Sequence, residues 1–443
     1  MALFWGYFSR FSSLASSLII MPFALANFTE AEFSLWMIFV AFYGLIVVFD
    51  FGLSSTFSRQ MNYVLCGAQT LEKQGVSGEF DKSNINYALF STVIDSAKFI
   101  FLIIAVLTTL ILAIAYFFYL ETVASNSGLN IQYEWLLYSA AVVINIFCLL
   151  YNALFFGTNN VASIYKVTSY NNIAFFIVAI SMILNGYTLI AIAVARVVSA
   201  FVYFVASKYE INKYKMLQGY QSVNFDKVKP TLFKILPNAS RIGIVSLGNF
   251  MLTKISILII AYYFSASDSA TYSLALNLFT ILSAVSLLYM TVVTPSLNRA
   301  MQEKSYQTVK RLQGRVRLVS MLMVVLGCIG ISIIGPFLLK LIGSETSLPE
   351  LPSLLFFSLM ILLDVNRQIS MNFIAANNHV PFSKAIVLSG CITLLATIAL
   401  FELGYQHFIL PIIIQIIVQS AFNNWYWTVV EKRTLKEMAV NAA

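Results

Sequence analysis

Charged residues are scarce in this chain. Only 10% of its 443 residues are Asp, Glu, Lys or Arg, and 59% are hydrophobic, whereas an average soluble domain is about 25% charged. A disordered chain, which needs low hydrophobicity and high charge, is excluded. The composition therefore predicts a membrane protein, and the net charge of +8 is first a clue to membrane orientation rather than to nucleic-acid binding.

Cysteine and histidine are also scarce. No two cysteines form a C-x-x-C pair, and the two histidines are far apart in sequence, so neither a disulfide framework nor a structural zinc site is expected. A G-x-x-x-x-G-K-[ST] loop for ATP is missing as well. We therefore expect no metal, no cofactor and no enzyme activity. The cysteines and histidines are Cys66, Cys148, Cys328, Cys391, His379 and His407.

Long apolar runs, by contrast, recur along the whole chain. A membrane-spanning helix needs about 20 mainly apolar residues, and the sequence predicts an all-α polytopic membrane protein with about twelve such spans. The first run ends near Ala24-Leu25-Ala26, which resembles a signal-peptidase site, but its apolar approach and the many later spans favour a retained span. The predicted spans are 10–26, 33–53, 97–119, 135–155, 168–185, 187–206, 242–264, 270–294, 318–339, 353–376, 383–404 and 408–429.

Basic residues in the connections lie almost entirely on one side of these spans. With the N-terminus inside, the opposite side carries only Lys340, together with acidic residues such as Glu121 and Glu134. The positive-inside rule then places both termini in the cytoplasm and requires an even number of spans. The cytoplasmic cations are Arg10, Arg59, Lys73, Lys82, Lys166, Lys208, Lys213, Lys215, Lys227, Lys229, Lys234, Arg241, Arg299, Lys304, Lys310, Arg311, Arg315, Arg317, Lys384, Lys432, Arg433 and Lys436.

The two halves of the chain carry traces of a repeat. Ala31–Leu35 and Ala270–Leu274 share the pattern Ala-x-aromatic-Ser-Leu, and Phe57–Met61 resembles Leu297–Met301 at nearly the same offset. Two six-helix halves of equal orientation imply a pseudo-twofold axis along the membrane normal, with a cavity between the lobes. We predict an N-terminal lobe over 1–206, a cytoplasmic linker over 207–240 and a C-terminal lobe over 241–443.

The predicted linker contains apolar residues among its lysines. They leave two alternatives open: an amphipathic segment along the inner leaflet, or a solvated tether that merely obeys the charge rule. The apolar residues are Val223, Phe225, Val228, Leu232 and Ile235.

Four cations fall within the predicted spans, where a charge costs about 2.5–3.5 kcal/mol on insertion scales. They are Lys98, Arg196, Lys254 and Arg367. Asp95 and Asp364 each lie three residues before one of them, so Lys98 and Arg367 could be neutralised locally. Otherwise the four should face a bundle interior or a water-filled cavity.

Four arginines lie at the cytoplasmic mouth of this expected cavity: Arg10, Arg59, Arg241 and Arg299. Together with the four cations inside the spans they predict a positive cavity, which suits phosphate or pyrophosphate because arginine binds these groups bidentately. All eight are candidate substrate-binding residues. Asp50 and Asp364 are candidates for binding a coupling ion, although Asp50 could simply cap a helix or pair with an arginine. Buried asparagines such as Asn171, Asn172 and Asn366 could contact sugars or join helices.

Several motifs resemble those of the MOP superfamily (multidrug/oligosaccharidyl-lipid/polysaccharide), and in particular the O-antigen flippases. They are Asp50-Phe51-Gly52-Leu53 followed by Arg59, Ala270-x-Tyr272-Ser273-x-Ala275, Thr294–Arg299 and Ser240–Gly243. This resemblance implies a flippase that moves undecaprenyl-diphosphate-linked oligosaccharide units from the inner to the outer leaflet by alternating access. It also implies function for the cations at Arg10, Arg59 and Arg299. Twelve spans differ from the usual fourteen of the peptidoglycan-precursor branch.

The resemblance further implies a multi-pass protein of the bacterial inner membrane in polysaccharide and lipopolysaccharide biosynthesis. Expected partners are the lipid-linked oligosaccharide, H⁺ or Na⁺, membrane lipids and the downstream polymerase machinery. The main alternative is a cation-coupled, multidrug-type antiporter, whose cationic substrates favour an acidic cavity. A membrane polymerase or glycosyltransferase is a third alternative, but the longest outer connection, Leu120–Glu134, has no Lys, Arg, His or Asp.

Overall fold

The computed structural model describes residues 2–71, 81, 85–376 and 381–440, without the side chains of 2, 3, 7, 14–17, 45–47, 237–242, 439 and 440. These residues contain eighteen α-helices and one π-helical turn, Tyr116–Leu120. The helices are α1 Ala2–Asn27, α2 Glu30–Tyr43, α3 Leu45–Asp50, α4 Leu53–Leu65, α5 Tyr87–Ala115, α6 Glu121–Asn126, α7 Gln132–Gly157, α8 Val161–Leu184, α9 Leu189–Lys213, α10 Phe225–Thr253, α11 Ile255–Tyr263, α12 Ala266–Ser286, α13 Leu288–Gln302, α14 Tyr306–Leu341, α15 Leu351–Ala375, α16 Ser383–Glu402, α17 Leu410–Ala421 and α18 Asn423–Val440.

Eleven helical stretches of the described residues are long and apolar enough to cross a membrane. A helix satisfies its own backbone groups, which lipid cannot do. The prediction of an all-helical polytopic fold is thus confirmed. The stretches are Phe4–Asn27, Glu30–Leu65, Tyr87–Asn126, Gln132–Gly157, Val161–Leu184, Leu189–Lys213, Gly243–Tyr263, Ala266–Gln302, Tyr306–Leu341, Leu351–Ala375 and Ser383–Glu402.

The twelfth predicted span, 408–429, is divided in the structure. It forms α17 and the start of α18, separated at Phe422, whose backbone angles (φ −144°, ψ −61°) leave the helical region. Neither part alone is an apolar helix of spanning length. Hydropathy records side chains and not backbone angles, which is why the sequence predicted one continuous helix here.

The second predicted span also contains a break. Phe51 (φ +43°) and Gly52 (φ +68°) are both left-handed and separate α3 from α4. Asp50 lies just before this break and accepts hydrogen bonds from the Ser54 backbone N–H and from its hydroxyl. The ring of Phe51 packs so closely on Gly243 that a Cβ there would lie 1.9 Å from Phe51 Cδ1. Gly243 is therefore required by this packing.

The chain divides into two compact units, residues 1–246 and 247–443. In the first unit α4, α5 and α7 share an apolar core. Phe57, Phe90, Phe101 and Phe155 are fully buried in it. In the second unit, the rings of Phe279 and Phe357 stack in parallel at 5.7 Å and Tyr272 meets Phe357 at 5.6 Å, which joins α12 to α15.

The segment predicted as a linker, 207–240, belongs to the first unit. Its first part completes α9, and its last part begins α10. Val228, Leu232 and Ile235 are buried in the same core as Phe57. These three residues recur at helical spacing and face protein, whereas Phe225 and Phe233 are 52% and 64% exposed, so the choice between an inner-leaflet helix and a solvated tether stays a prediction. The functional division into lobes 1–206 and 241–443 stays a prediction.

The last helical stretch of each half shares a pattern that the sequence analysis did not use. Val197–Phe201 (Val-Val-Ser-Ala-Phe) and Val418–Phe422 (Val-Gln-Ser-Ala-Phe) lie 221 residues apart. A glutamate follows each at the same distance, Glu210 and Glu431, and both side chains are buried. This shared pattern agrees with the repeat between the halves, which stays a prediction.

Candidate cation-rich site

The arginines that the sequence predicts at a cytoplasmic mouth have different surroundings in the structure. Arg10 on α1 and Arg59 on α4 are exposed within the first unit, and Arg299 is exposed in the last turn of α13 in the second unit. No ion pair involves these three among the described residues. Arg241 lies in α10, but its side chain is outside the described part. Within the described ranges these three exposed guanidinium groups therefore have no counter-charge, and an anion could reach them.

Arg196 has the most unusual surroundings of the predicted cations. It lies on α9, seven residues from the helix start and thus about 10 Å into the span. Its guanidinium packs on the rings of Phe175, at 3.9 Å from the ring centroid, and Tyr43, at 4.6 Å. The buried Nε has no hydrogen-bond acceptor in the described part of the chain, and the guanidinium has no carboxylate partner there. Aromatic faces stabilise the charge without neutralising it.

Lys254 is the second unpaired cation at span depth. It lies between α10 and α11, near the middle of the stretch Gly243–Tyr263, and is partly buried. Its ammonium group has neither a carboxylate nor a hydrogen-bond acceptor among the residues that the structure describes. An ammonium at this depth is costly unless water or an anion reaches it.

Lys98 is paired. Its Nζ lies 3.0 Å from Asp95 Oδ1 and 4.1 Å from the centroid of the Tyr220 ring. Asp95 also accepts hydrogen bonds from the Tyr220 hydroxyl at 2.6 Å and from the Val223 N–H at 2.9 Å. The local pairing left open by the sequence is therefore present. Lys98 and Asp95 fasten residues 214–224 to α5.

Arg367 is paired as well. It is only 3% exposed, and its Nη2 and Nε lie 2.5 and 3.2 Å from Asp364 Oδ1. Asp364 Oδ2 accepts a hydrogen bond from Gln368 at 2.7 Å. Both carboxylate oxygens are thus engaged. The local pairing that the sequence left open for Arg367 is therefore present as well. Its role toward substrate, like that of Asp364 toward an ion, stays a prediction.

The other polar candidates make local contacts. Asp50 accepts hydrogen bonds from Ser54 in the first turn of α4. Its role in ion coupling remains a prediction. Asn172 donates to Ser12 on α1 at 3.3 Å, and Asn366 donates to Thr428 on α18 at 3.2 Å. These two asparagines join helices, which is the more common use of buried asparagine in membranes.

Two ion pairs between a buried glutamate and a partly exposed base were not predicted from the sequence. Lys166 on α8 lies 2.6 Å from Glu210 on α9, and Arg317 on α14 lies 2.5 Å from Glu431 on α18. Their partners are far apart in sequence, so no local spacing indicates them. The shared pattern that precedes Glu210 and Glu431 is the signal that points to an equivalent role in each half.

The distribution of charge in each unit follows from these pairs. Lys98 and Arg367 are balanced by their own carboxylates, whereas Arg196 in the first unit and Lys254 in the second have no counter-charge among the residues that the structure describes. Guanidinium and ammonium groups of this kind bind phosphate oxygens through charge-assisted hydrogen bonds. The described residues contain no group of three His, Cys, Asp or Glu that could hold a metal ion.

Comparison with known proteins identifies the fold. No protein-family model and no curated protein matches the sequence. An inward-facing multidrug resistance MATE family transporter of the MOP superfamily matches with a TM-score of 0.71 at 13% identity, over 97% of this chain and 96% of that one. An outward-facing structure with the same description gives a TM-score of 0.55 at 12% identity, over 99% and 94%.

A mutant of VcmN, a MATE transporter of Vibrio cholerae, matches with a TM-score of 0.54 at 12% identity, over 97% of this chain and 94% of that one. Identities this low establish architecture and leave the substrate open. The chain therefore has the all-helical, two-lobed fold of the MATE transporters of the MOP superfamily.

Proposed function

We propose that this protein is a flippase that moves undecaprenyl-diphosphate-linked oligosaccharide units from the inner to the outer leaflet of the bacterial inner membrane. The observation that carries the proposal is the pair of cations Arg196 and Lys254, one in each unit and both at span depth, for which the described residues provide no carboxylate partner. The MATE-type fold supports transport by alternating access.

The chemistry of the substrate explains the charge. Each unpaired cation raises the free energy of membrane insertion of its helix by about 2.5–3.5 kcal/mol. A hydrophobic residue at the same position would not. A diphosphate carries negative charge and many acceptor oxygens, which offset this penalty while it is bound. The planar guanidinium of Arg196 can bind two oxygens at once, and the ammonium of Lys254 acts as a point charge.

The exposed arginines fit the first step of such a cycle. Arg10, Arg59 and Arg299 lie at the ends of spans that the charge distribution assigns to the cytoplasmic side. There they would meet the diphosphate headgroup while the polyprenyl tail stays in lipid. The proposal includes membrane lipids and the downstream polymerase machinery of O-antigen and lipopolysaccharide synthesis as partners.

The test is surface glycan display in cells that depend on this protein. The double variant Arg59→Ala/Arg299→Ala should abolish display at normal protein level, because two of the three proposed headgroup contacts at the mouth are lost. The matched control is Lys310→Ala/Arg311→Ala, which removes two exposed cations of α14 and should display glycan normally. Normal display by the first variant, or equal loss in both, would count against the proposal.

A second candidate is a cation-coupled, multidrug-type antiporter. The observation that favours it is the similarity to solved multidrug resistance MATE transporters, together with the carboxylates Asp50 and Asp364 in the spans. Purified protein in vesicles with an H⁺ or Na⁺ gradient would then export cationic dyes, and Asp50→Asn would stop this export. Dye export without any effect on glycan display would favour the antiporter.

A further inference from the structure

We propose that the first unit carries a binding site for an anionic phospholipid, formed by α5, α7, α9 and residues 214–224. The site is a cavity of about 380 Å³, lined by Lys98, Lys208 and Asn212 and by apolar side chains such as Phe147 and Leu217. Ligand sites of this size are mostly apolar with a few well-placed polar groups. The proposal does not depend on the transported substrate.

The charge of the cavity matches one phosphodiester. Lys98 is balanced by Asp95, 3.0 Å away. Lys208 is exposed and has no ion pair within the described ranges; its ammonium lies 4.4 Å from the Phe204 ring centroid. Among the described residues that line it, the cavity thus has a single uncompensated positive charge, Lys208. This charge balances one phosphodiester but only part of the charge of a diphosphate. The Asn212 amide adds a hydrogen-bond donor.

The outer face of α9 leads from lipid to this charge. Phe201 and Val205 are 60% and 48% exposed. Lys208 follows Val205 by three residues, and Asn212 follows Lys208 by four. Residues so spaced share one helix face. An acyl chain can therefore lie along Phe201 and Val205 while its headgroup reaches Lys208 and Asn212.

The depth of Lys208 agrees with the position of a headgroup. It lies 19 residues after Leu189, which is about 28 Å along the helix, and the hydrocarbon core is about 30 Å thick. The predicted orientation assigns this end of α9 to the cytoplasmic leaflet. Lipid bound there would contact Leu217, in the segment that Asp95 and Tyr220 hold against α5.

The test measures lipid retention by the purified protein with native mass spectrometry. Phosphatidylglycerol and phosphatidylcholine are titrated into wild type, Lys208→Gln and Lys213→Gln. A surface cation contributes about 1 kcal/mol to anionic-lipid binding, or about a five-fold change in affinity. Lys208→Gln should therefore bind phosphatidylglycerol about five-fold more weakly. Lys213 is also exposed, but it does not share the face of α9 that carries Lys208 and Asn212. The control variant Lys213→Gln should therefore bind phosphatidylglycerol as wild type does.

Further measurements identify the bound molecule. Leu217→Trp should fill the cavity and reduce retention of phosphatidylglycerol with Lys208 intact. Equal retention by all four proteins, or no preference for phosphatidylglycerol, overturns the proposal. So does displacement by inorganic phosphate, which would indicate a simple anion site, or by a low concentration of polyprenyl diphosphate, which would assign the cavity to the transported lipid. Glycan display is scored separately, so the two proposals fail independently.

Discussion

Arg196 and Arg367 offer the sharpest comparison of an unpaired with a paired membrane cation. Replacing Arg367 by Gln leaves Asp364 buried without its counter-charge. Breaking a buried pair in this way typically costs about 3–5 kcal/mol of folding free energy. We expect Arg367→Gln to destabilise the protein strongly, and the double variant Arg367→Gln/Asp364→Asn to recover most of the loss, since it leaves no lone charge.

Arg196→Gln should behave differently. It relieves about 2.5–3.5 kcal/mol of charge burial and removes two cation–π contacts, together worth about 1–4 kcal/mol. The two terms are of similar size, so the stability of this variant should stay near wild type. The variant should instead be defective in glycan display, because Arg196 is proposed to bind the diphosphate.

The assay is the fraction of monodisperse protein after heating in detergent, measured by size-exclusion chromatography beside glycan display. The expected order of stability is wild type and Arg196→Gln together, then the double variant, then Arg367→Gln. A stable Arg367→Gln protein would refute the assignment of a structural ion pair. An unstable Arg196→Gln protein, or one with normal display, would refute the assignment of a substrate contact.

Three further predictions rest on the packing and the hydrogen bonds. Gly243→Ala should lower stability by about 1–3 kcal/mol through overpacking, seen in the same heating assay, and Phe51→Leu should partly restore it by making room. Asp95→Asn should loosen residues 214–224 and speed limited proteolysis there, whereas an unchanged cleavage rate would contradict the role of Asp95 as their anchor. Glu431→Gln should cost about 1–3 kcal/mol, because Arg317 is partly buried and loses its carboxylate but keeps Asn366 and Ser370; a heat resistance equal to wild type would argue against that ion pair.

The fold class was predictable because hydropathy alone decides it. A chain with so little charge and so many apolar runs has few structures open to it. The break at Phe422 was not predictable in this way, since the residues around it are as apolar as those of an unbroken span. Backbone angles there depend on packing that no local pattern records.

In the candidate site, too, contacts between residues close in sequence were predictable and contacts between distant residues were not. Asp95 with Lys98 and Asp364 with Arg367 are three residues apart, so their pairing was available from helical spacing. The surroundings of Arg196 depend on Tyr43 and other residues distant in sequence. Similarly, the apolar face of residues 222–236 was visible, but whether it meets lipid or protein depends on tertiary structure.

The two buried glutamates have a consequence for biogenesis. The described partners of the Glu210 side chain are Ser163 and Lys166, and both precede it in the chain. Gln313 and Arg317, the partners of the Glu431 side chain, likewise precede Glu431. Each acid therefore leaves the ribosome after its basic partner has already been inserted, and a long cationic side chain can reach the water interface while it waits. Each half can thus neutralise its own last helix during synthesis, without help from the other half.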